Sequence, residues 1–276
     1  MGDHLKIVQA FGSPFTHDKS SCMGSVPTNH IWHYGACEDS DIEVYLDYDV
    51  VGGFKSPCEN KFLWLSESKS IVPHQYAFVR MWYEKFCDCY KAIFTADREL
   101  VNLHDKFIEA PGGSNYTWVT PDKRGVHKKS KLVSMISSGK VMCEDHINRN
   151  AIADKMIEQG VDMFGRLYTP VETKDMALND YMFSVTIENV ILSNYQTEKV
   201  IDCFATGTVP IYLGNPSIGE TFNPDGIIFY DDNFDLNMLS EDLYQKMLPA
   251  VKENYEIFCN MKISDDVIFD KITKLL

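Results

Sequence analysis

No uninterrupted apolar run in this 276-residue chain approaches the roughly 20 residues that a membrane-spanning helix needs. The N-terminal Met1 to Thr16 offers only a short apolar stretch, Leu5 to Ala10, too little for a secretory leader. Lys6 stands where a myristoylation signal following Met1-Gly2 wants Ser or Thr. The expectation is therefore an unprocessed, cytoplasmic chain without a transmembrane segment. Positive charge is also scarce. Lys plus Arg number 26 against 40 Asp plus Glu, a formal net charge of −14, so no basic surface is offered to nucleic acid or an anionic membrane. The eight cysteines are scattered without a CxxC pair, and Cys87 and Cys89 stand too close for a zinc ribbon, so they read as reduced thiols. Internal repeats, low-complexity tracts and heptads are missing as well. What the chain does have is 45% hydrophobic and 12% aromatic residues, enough to bury a real core. Asn115-Tyr116-Thr117 fits a glycosylation sequon, expected here to be an unmodified loop.

Alternating strand-like and helix-like stretches then organise the chain. In the first half, strands are expected at Leu5 to Phe11, Ile42 to Leu46, Phe62 to Leu65 and Ala92 to Thr95, with the best helix at Gln75 to Tyr90. A loop rich in Gly, Pro and charge, Ala110 to Ser114 and Pro121 to Lys131, sets a domain boundary between residues 1–125 and 126–276. Beyond it, strands at Lys131 to Ile136, Val161 to Phe164, Phe183 to Ile187, Val209 to Leu213 and Gly226 to Tyr230 alternate with helices. Those helices are expected at Asn148 to Gln159, near Thr173 to Leu178 and at Thr197 to Ala205. This pattern implies βαβ units and parallel sheets. The tail from Ser240 reads as helical, with room to pack back across the first domain. In such sheets ligands lie beyond the carboxyl ends of strands, which directs attention to Ser137 to Arg149, Glu188 to Lys199 and Gly214 to Gly219.

The richest segment is Tyr181 to Asn189, a buried strand ending in an acid and an amide, followed by a helix whose first turn carries Thr197, Glu198 and Lys199. Thr197 is placed to cap that helix. Lys199 near its positive end is out of place electrostatically, by about 0.3 to 1 kcal/mol, unless an anion is bound there too; otherwise it is a solvated lysine on an ordinary first turn.

The residues from Phe183 to Asp232 resemble the donor-binding signature of the family 10 glycosyltransferases, the α-1,3/4-fucosyltransferases. The matching positions are Phe183 with Glu188-Asn189, Tyr195 with Thr197-Glu198-Lys199, Val209-Pro210-Ile211 with Gly214, Phe222 with Pro224, and Asp231-Asp232. Upstream, Val161 to Arg166 and the helix start at Arg149-Asn150 resemble further segments of the same family. The resemblance implies an α/β, GT-B-like architecture of two Rossmann-like domains facing a cleft, the first for the acceptor and the second for the nucleotide sugar. It implies inverting transfer of a sugar, L-fucose from GDP-fucose foremost, to a glycan hydroxyl. By similarity, Arg149 and Lys199 contact the donor diphosphate, Glu188, Asn189 and Tyr195 belong to the nucleotide site, and Glu198 holds the sugar. No metal cofactor is then required. Glu67, in Trp64 to Pro73, resembles the family's general base. The chain lacks the membrane anchor of animal relatives and the heptads and basic tail of some bacterial ones, which implies a compact enzyme of bacterial or viral type.

Other readings stand beside this one. Asp47-Tyr48-Asp49 is a DxD that in another transferase architecture holds a divalent ion against a nucleotide diphosphate, which would allow a metal-dependent enzyme using another nucleotide sugar. A non-catalytic sugar-nucleotide-binding protein is a further alternative. His30, His33, Cys22 and Cys37 match no metal-ligand spacing. The basic run Lys123, Arg124, Lys128, Lys129 and Lys131 reads as a solvated linker or as an attractor of the anionic donor. Trp82, Tyr83 and Phe86 read as core or as a platform for an acceptor sugar.

Overall fold

The computed structural model of the protein describes residues 6–12, 19–22, 25–38, 40–113, 115–141 and 144–276. Met1 to Leu5, Ser13 to Thr16, Ser114, Met142 and Cys143, all touched on above, lie outside the described residues. The chain forms two compact units, Met1–Tyr116 with Lys262–Leu276, and Thr117–Met261.

The first unit holds a six-stranded sheet: β1 (Ile7–Phe11), β2 (Ile31–Tyr34), β3 (Ile42–Leu46), β4 (Lys61–Leu65), β5 (Ala92–Thr95) and β6 (Phe107–Glu109). Its order is β2-β1-β3-β4-β5-β6, parallel throughout. Alternation along the strands supplies both faces. Val44, Leu46, Phe62, Trp64 and Phe94 form one core layer, and Tyr45, Leu63, Leu65 and Ile93 the other. The two outer strands β2 and β6 were not expected from sequence, since they are four and three residues long and only partly buried. The single helix expected at Gln75 to Tyr90 is two, α1 (Pro73–Met81) and α2 (Tyr83–Cys89), broken at Trp82 with φ −117° and ψ 27°. Neither Gly nor Pro marks that break. Phe86 lies in the core and Tyr83 is packed against it, whereas Trp82 stays exposed with the Lys85 ammonium 4.5 Å from its ring centroid.

The helical tail divides. After the short α3 (Arg98–Val101), α4 (Glu144–Glu158) and α5 (Glu198–Thr206), helix α6 (Glu241–Asn260) stays with the second unit, while α7 (Ser264–Ile272) joins the first. Ile268, Phe269 and Ile272 complete the core layer of Trp64 and Phe94, so this tail lies outside the 126–276 domain expected from sequence. Its first turn is an anchor of buried polar groups. Asp265 accepts from Ser20 Oγ at 3.1 Å, Ser21 N at 2.9 Å and Ser21 Oγ at 2.8 Å, and Asp266 accepts from Thr28 N at 2.9 Å and Thr28 Oγ1 at 2.8 Å. Ser264 Oγ donates to Asn115 Oδ1 at 2.7 Å, and Asn115 Nδ2 donates to the Lys262 carbonyl at 3.2 Å. The sequon asparagine is thus buried and occupied.

The second unit holds β7 (Lys131–Ile136), β8 (Asp162–Phe164), β9 (Tyr181–Ile187), β10 (Val209–Leu213) and β11 (Ile228–Phe229), in the order β8-β7-β9-β10-β11 and again parallel. All seven residues of β9 are buried, as a central parallel strand requires. Each unit therefore has the doubly wound order in which the second strand lies outside the first, and the order reverses between β1 and β3 and between β7 and β9. The helix expected near Thr173 to Leu178 is a 3-10 turn, Lys174–Ala177. Lys129 is no part of a solvated linker: its buried ammonium donates to the carbonyls of Leu178, Asn179 and Thr206 and to Thr208 Oγ1 at 2.8 to 3.2 Å. Burial lowers its pKa to about 7.

Gly165, just past β8, has φ +122°, and a Cβ there would stand 2.0 Å from the Ser137 carbonyl oxygen at the end of β7. Gly165→Ala is expected to destabilise the protein by about 3 kcal/mol or more, from backbone strain plus a clash against main chain that has nowhere to move. A chemical denaturation midpoint equal to that of the parent would contradict this account.

Candidate active site

In the first unit the chain leaves β3 into a 3-10 turn, Asp47–Asp49, and the Asp47 carboxyl is completely buried there. Its Oδ1 accepts the Glu67 backbone N–H at 3.0 Å, and its Oδ2 has no hydrogen-bond partner among the described residues. Burial, followed by the charge of Glu67, raises the Asp47 pKa well above the ordinary range. A carboxyl so enclosed differs from the open DxD pair considered above, and among the described residues no group of three His, Cys, Asp or Glu gathers to hold a metal ion.

Glu67 follows the end of β4, two residues past Leu65. Its N–H is fixed on Asp47, and its carbonyl accepts from Tyr76 Oη at 3.0 Å. The backbone is thus held on both sides while the side chain remains half-buried at the carboxyl edge of the sheet. Asp47 and Tyr76, the two groups that hold it, were not picked out as supports for Glu67 by sequence reasoning, because strand alternation gives no sign of a tie between residues so far apart in the chain.

In the second unit β9 delivers Glu188 to the carboxyl edge, and its side chain is 0% exposed. Oε1 accepts Thr197 N at 2.8 Å, and Oε2 accepts Thr197 Oγ1 at 2.7 Å and Lys199 Nζ at 3.1 Å. Lys199 Nζ also donates to Thr197 Oγ1 at 2.7 Å, and Thr197 caps α5 by accepting from Lys199 N. The electrostatic anomaly of a cation at a helix N-terminus is resolved inside the protein, because Glu188 supplies the compensating charge. Glu188 is consequently a holder of Lys199 and Thr197 rather than a group open to a nucleotide.

The row continues. Lys199 Nζ is 3.9 Å from Glu198 Oε1, which Lys174 Nζ approaches to 3.3 Å; Lys174 in turn lies 2.8 Å from Asp202 Oδ2. Asp202 Oδ1 accepts from Thr117 Oγ1 and from Trp118 N, both at 2.7 Å, and the Lys174 ammonium sits 4.2 Å from the Trp118 ring centroid. Charges of alternating sign thus run from Glu188 through Lys199, Glu198 and Lys174 to Asp202. Against an opposing effect of burial, Lys174 and Lys199 together bring the Glu198 pKa down to about 2. Lys174 and Asp202 escaped the sequence reading; an i, i+4 relation between Glu198 and Asp202 on α5 was the available signal.

Across the strand reversal, β7 ends at Ile136, and Ser138 Oγ accepts from Arg149 Nη2 at 3.5 Å. Arg149 and His146, one turn apart on α4, are both buried. Burial, then the charges of Arg149, Lys199 and Lys140, depress the His146 pKa to about 4, so the imidazole is neutral in a cationic neighbourhood. Arg149 and Lys199 thus sit at the carboxyl ends of two neighbouring, hydrogen-bonded strands, with Asn189 half-buried directly after Glu188. Tyr195, matched to the nucleotide site, is 1% exposed. The matched glycine Gly214 lies tight against this site, since a Cβ on it would stand 2.5 Å from Glu188 Cγ. Phe222 is core, stacked on Phe204 at 4.2 Å.

Residues 126–266, just over half of the chain, match the model of glycosyltransferase family 10 (fucosyltransferase), C-terminal part. An α-(1,3)-fucosyltransferase, FucT, of Helicobacter pylori is 35% identical over 94 residues, which are 32% of this chain and 20% of that protein, so the match spans about a fifth of the relative's length. A crystal structure of an α1,3-fucosyltransferase with GDP superposes with a TM-score of 0.55 at 14% identity, covering 100% of this chain and 90% of that one. A second α1,3-fucosyltransferase structure gives 0.54 at 14% identity, covering 99% and 89%. At such identities the structural likeness speaks for the fold, an α/β arrangement of the GT-B kind. No described helix is long and apolar enough to cross a membrane.

Proposed function

Since the chain belongs to glycosyltransferase family 10, we propose that it transfers L-fucose from GDP-fucose to a hydroxyl of a glycan, with inversion at the anomeric carbon. The observation that carries this reading is the pair of cations, Arg149 and Lys199, at the carboxyl ends of β7 and β9, where the strand order reverses in a chain of net charge −14. A guanidinium fork and an ammonium beside a helix N-terminus are suited to diphosphate oxygens.

In the proposed reaction the Glu67 carboxylate takes the proton of the acceptor hydroxyl as that oxygen attacks the anomeric carbon. The bond from that carbon to the diphosphate oxygen breaks, its electron pair leaves with GDP, and Arg149 and Lys199 offset the growing negative charge. Asn189 contributes to the nucleotide site. Glu198, kept ionised by its two lysines, accepts a hydrogen bond from a hydroxyl of the donor sugar. With two protein cations in that position, the reading assigns no role to a metal ion.

A thermal-shift panel tests it, using GDP, GDP-fucose, GDP-mannose, UDP and UDP-hexoses, each with and without EDTA. A ligand at about 100 times its Kd stabilises by about 2.7 kcal/mol. GDP and GDP-fucose are expected to shift the transition irrespective of EDTA. Stabilisation by UDP species alone, or only with a divalent ion, would overturn the donor assignment and favour the metal-dependent alternative.

A further inference from the structure

Lys174 lies in a 3-10 turn before β9, outside every segment matched to the donor signature, yet its ammonium is wedged between Glu198 Oε1 at 3.3 Å and Asp202 Oδ2 at 2.8 Å. Asp202 cannot move toward another partner, because its second oxygen is committed to Thr117 Oγ1 and Trp118 N. The Trp118 ring sits 4.2 Å from the ammonium as well. The ammonium is therefore held from the Asp202 side and acts on Glu198 as a fixed charge. Glu198 has a second cation, Lys199, at 3.9 Å on the same oxygen. Without Lys174, Glu198 would be drawn toward Lys199 and away from the sugar, while Lys199 stays held by Glu188 Oε2 at 3.1 Å and Thr197 Oγ1 at 2.7 Å.

We propose that Lys174, anchored by Asp202, is a positioning residue that holds the Glu198 carboxylate at the height of the donor sugar and keeps it apart from Lys199, so that one group reads the sugar and the other the diphosphate. This rests on the second unit being the donor site. It makes a separable prediction: Lys174 governs recognition of the sugar and leaves recognition of the nucleotide alone.

The experiment compares GDP and GDP-fucose affinities by calorimetry in the parent, Lys174→Met, Lys174→Arg and the double variant Lys174→Met/Asp202→Asn. Removing Lys174 alone leaves a buried carboxylate without its cation, so the single variant is expected to lose stability; the double variant removes both charges and keeps the fold. In both Met variants GDP-fucose affinity is expected to fall about tenfold relative to GDP affinity, the size of one charge-assisted hydrogen bond, with Lys174→Arg recovering most of it. A double variant that folds and keeps the parent's ratio of GDP-fucose to GDP affinity overturns the assignment. Equal losses for both ligands also overturn it, since they indicate a purely structural role. A parent that binds neither ligand overturns the donor-site reading and this inference with it.

Discussion

Glu67→Gln is expected to lower kcat by about 10²- to 10⁴-fold, the range in which a positioned general base operates, while GDP affinity stays at the parent value. The substitution is isosteric and leaves the backbone of residue 67 as it is, with its N–H on Asp47 and its carbonyl on Tyr76. It should not weaken the fold. It removes a negative charge that raises the pKa of the buried Asp47, so the melting temperature is expected to stay level or rise. Steady-state kinetics with GDP-fucose and a glycan acceptor, together with the GDP dissociation constant and Tm, checks this. Turnover at the parent rate would mean that Glu67 is an ordinary half-buried acid at a strand end and that the base lies elsewhere.

The second large effect concerns Lys199. Lys199→Met leaves Glu188, fully enclosed, with its two Thr197 contacts and no cation, an uncompensated buried charge costing about 3 kcal/mol. In a chain of this size that corresponds to a fall in Tm on the order of 10 °C. The variant is also expected to lose most of its GDP affinity, but instability alone could produce that result. Glu188→Gln/Lys199→Met separates the two causes. A neutral amide at position 188 can still accept from Thr197 N and donate to Thr197 Oγ1, so stability should return to within about 1 kcal/mol of the parent. GDP affinity should not return, because the phosphate has lost its cation. Recovery of both would make Lys199 a structural residue and remove half of the proposed diphosphate site.

The contrast between Glu188 and Glu198 shows how far the sequence could be read. Both acids belong to one motif, and both were placed in the donor site. Strand alternation and the position of Thr197 before an apolar helix were enough to locate β9, α5 and the cap between them. They could not show that Glu188 points inward, where three donors use its oxygens, while Glu198 faces two lysines. Tyr195 is similar: its place in the motif was legible, its enclosure was not. Lys129 reversed its reading altogether, because a dense basic run in a loop looks solvated until the carbonyl ends of Leu178, Asn179 and Thr206 are seen around one of its members.

By itself the sequence determined the parallel α/β class, the strands β3, β4, β5, β7, β8 and β10 to within a residue at either end, the family, and the acids and cations at the carboxyl ends of strands. Those features follow from local periodicity, caps and charge, which act over a few residues. Tertiary structure alone decided which half of the chain claims α7, that Asp47 holds the backbone of Glu67, and that Lys174 and Asp202 stand behind Glu198. Each of these joins residues that only folding brings together, where burial makes a single hydrogen bond or ion pair decisive and no short-range pattern announces it.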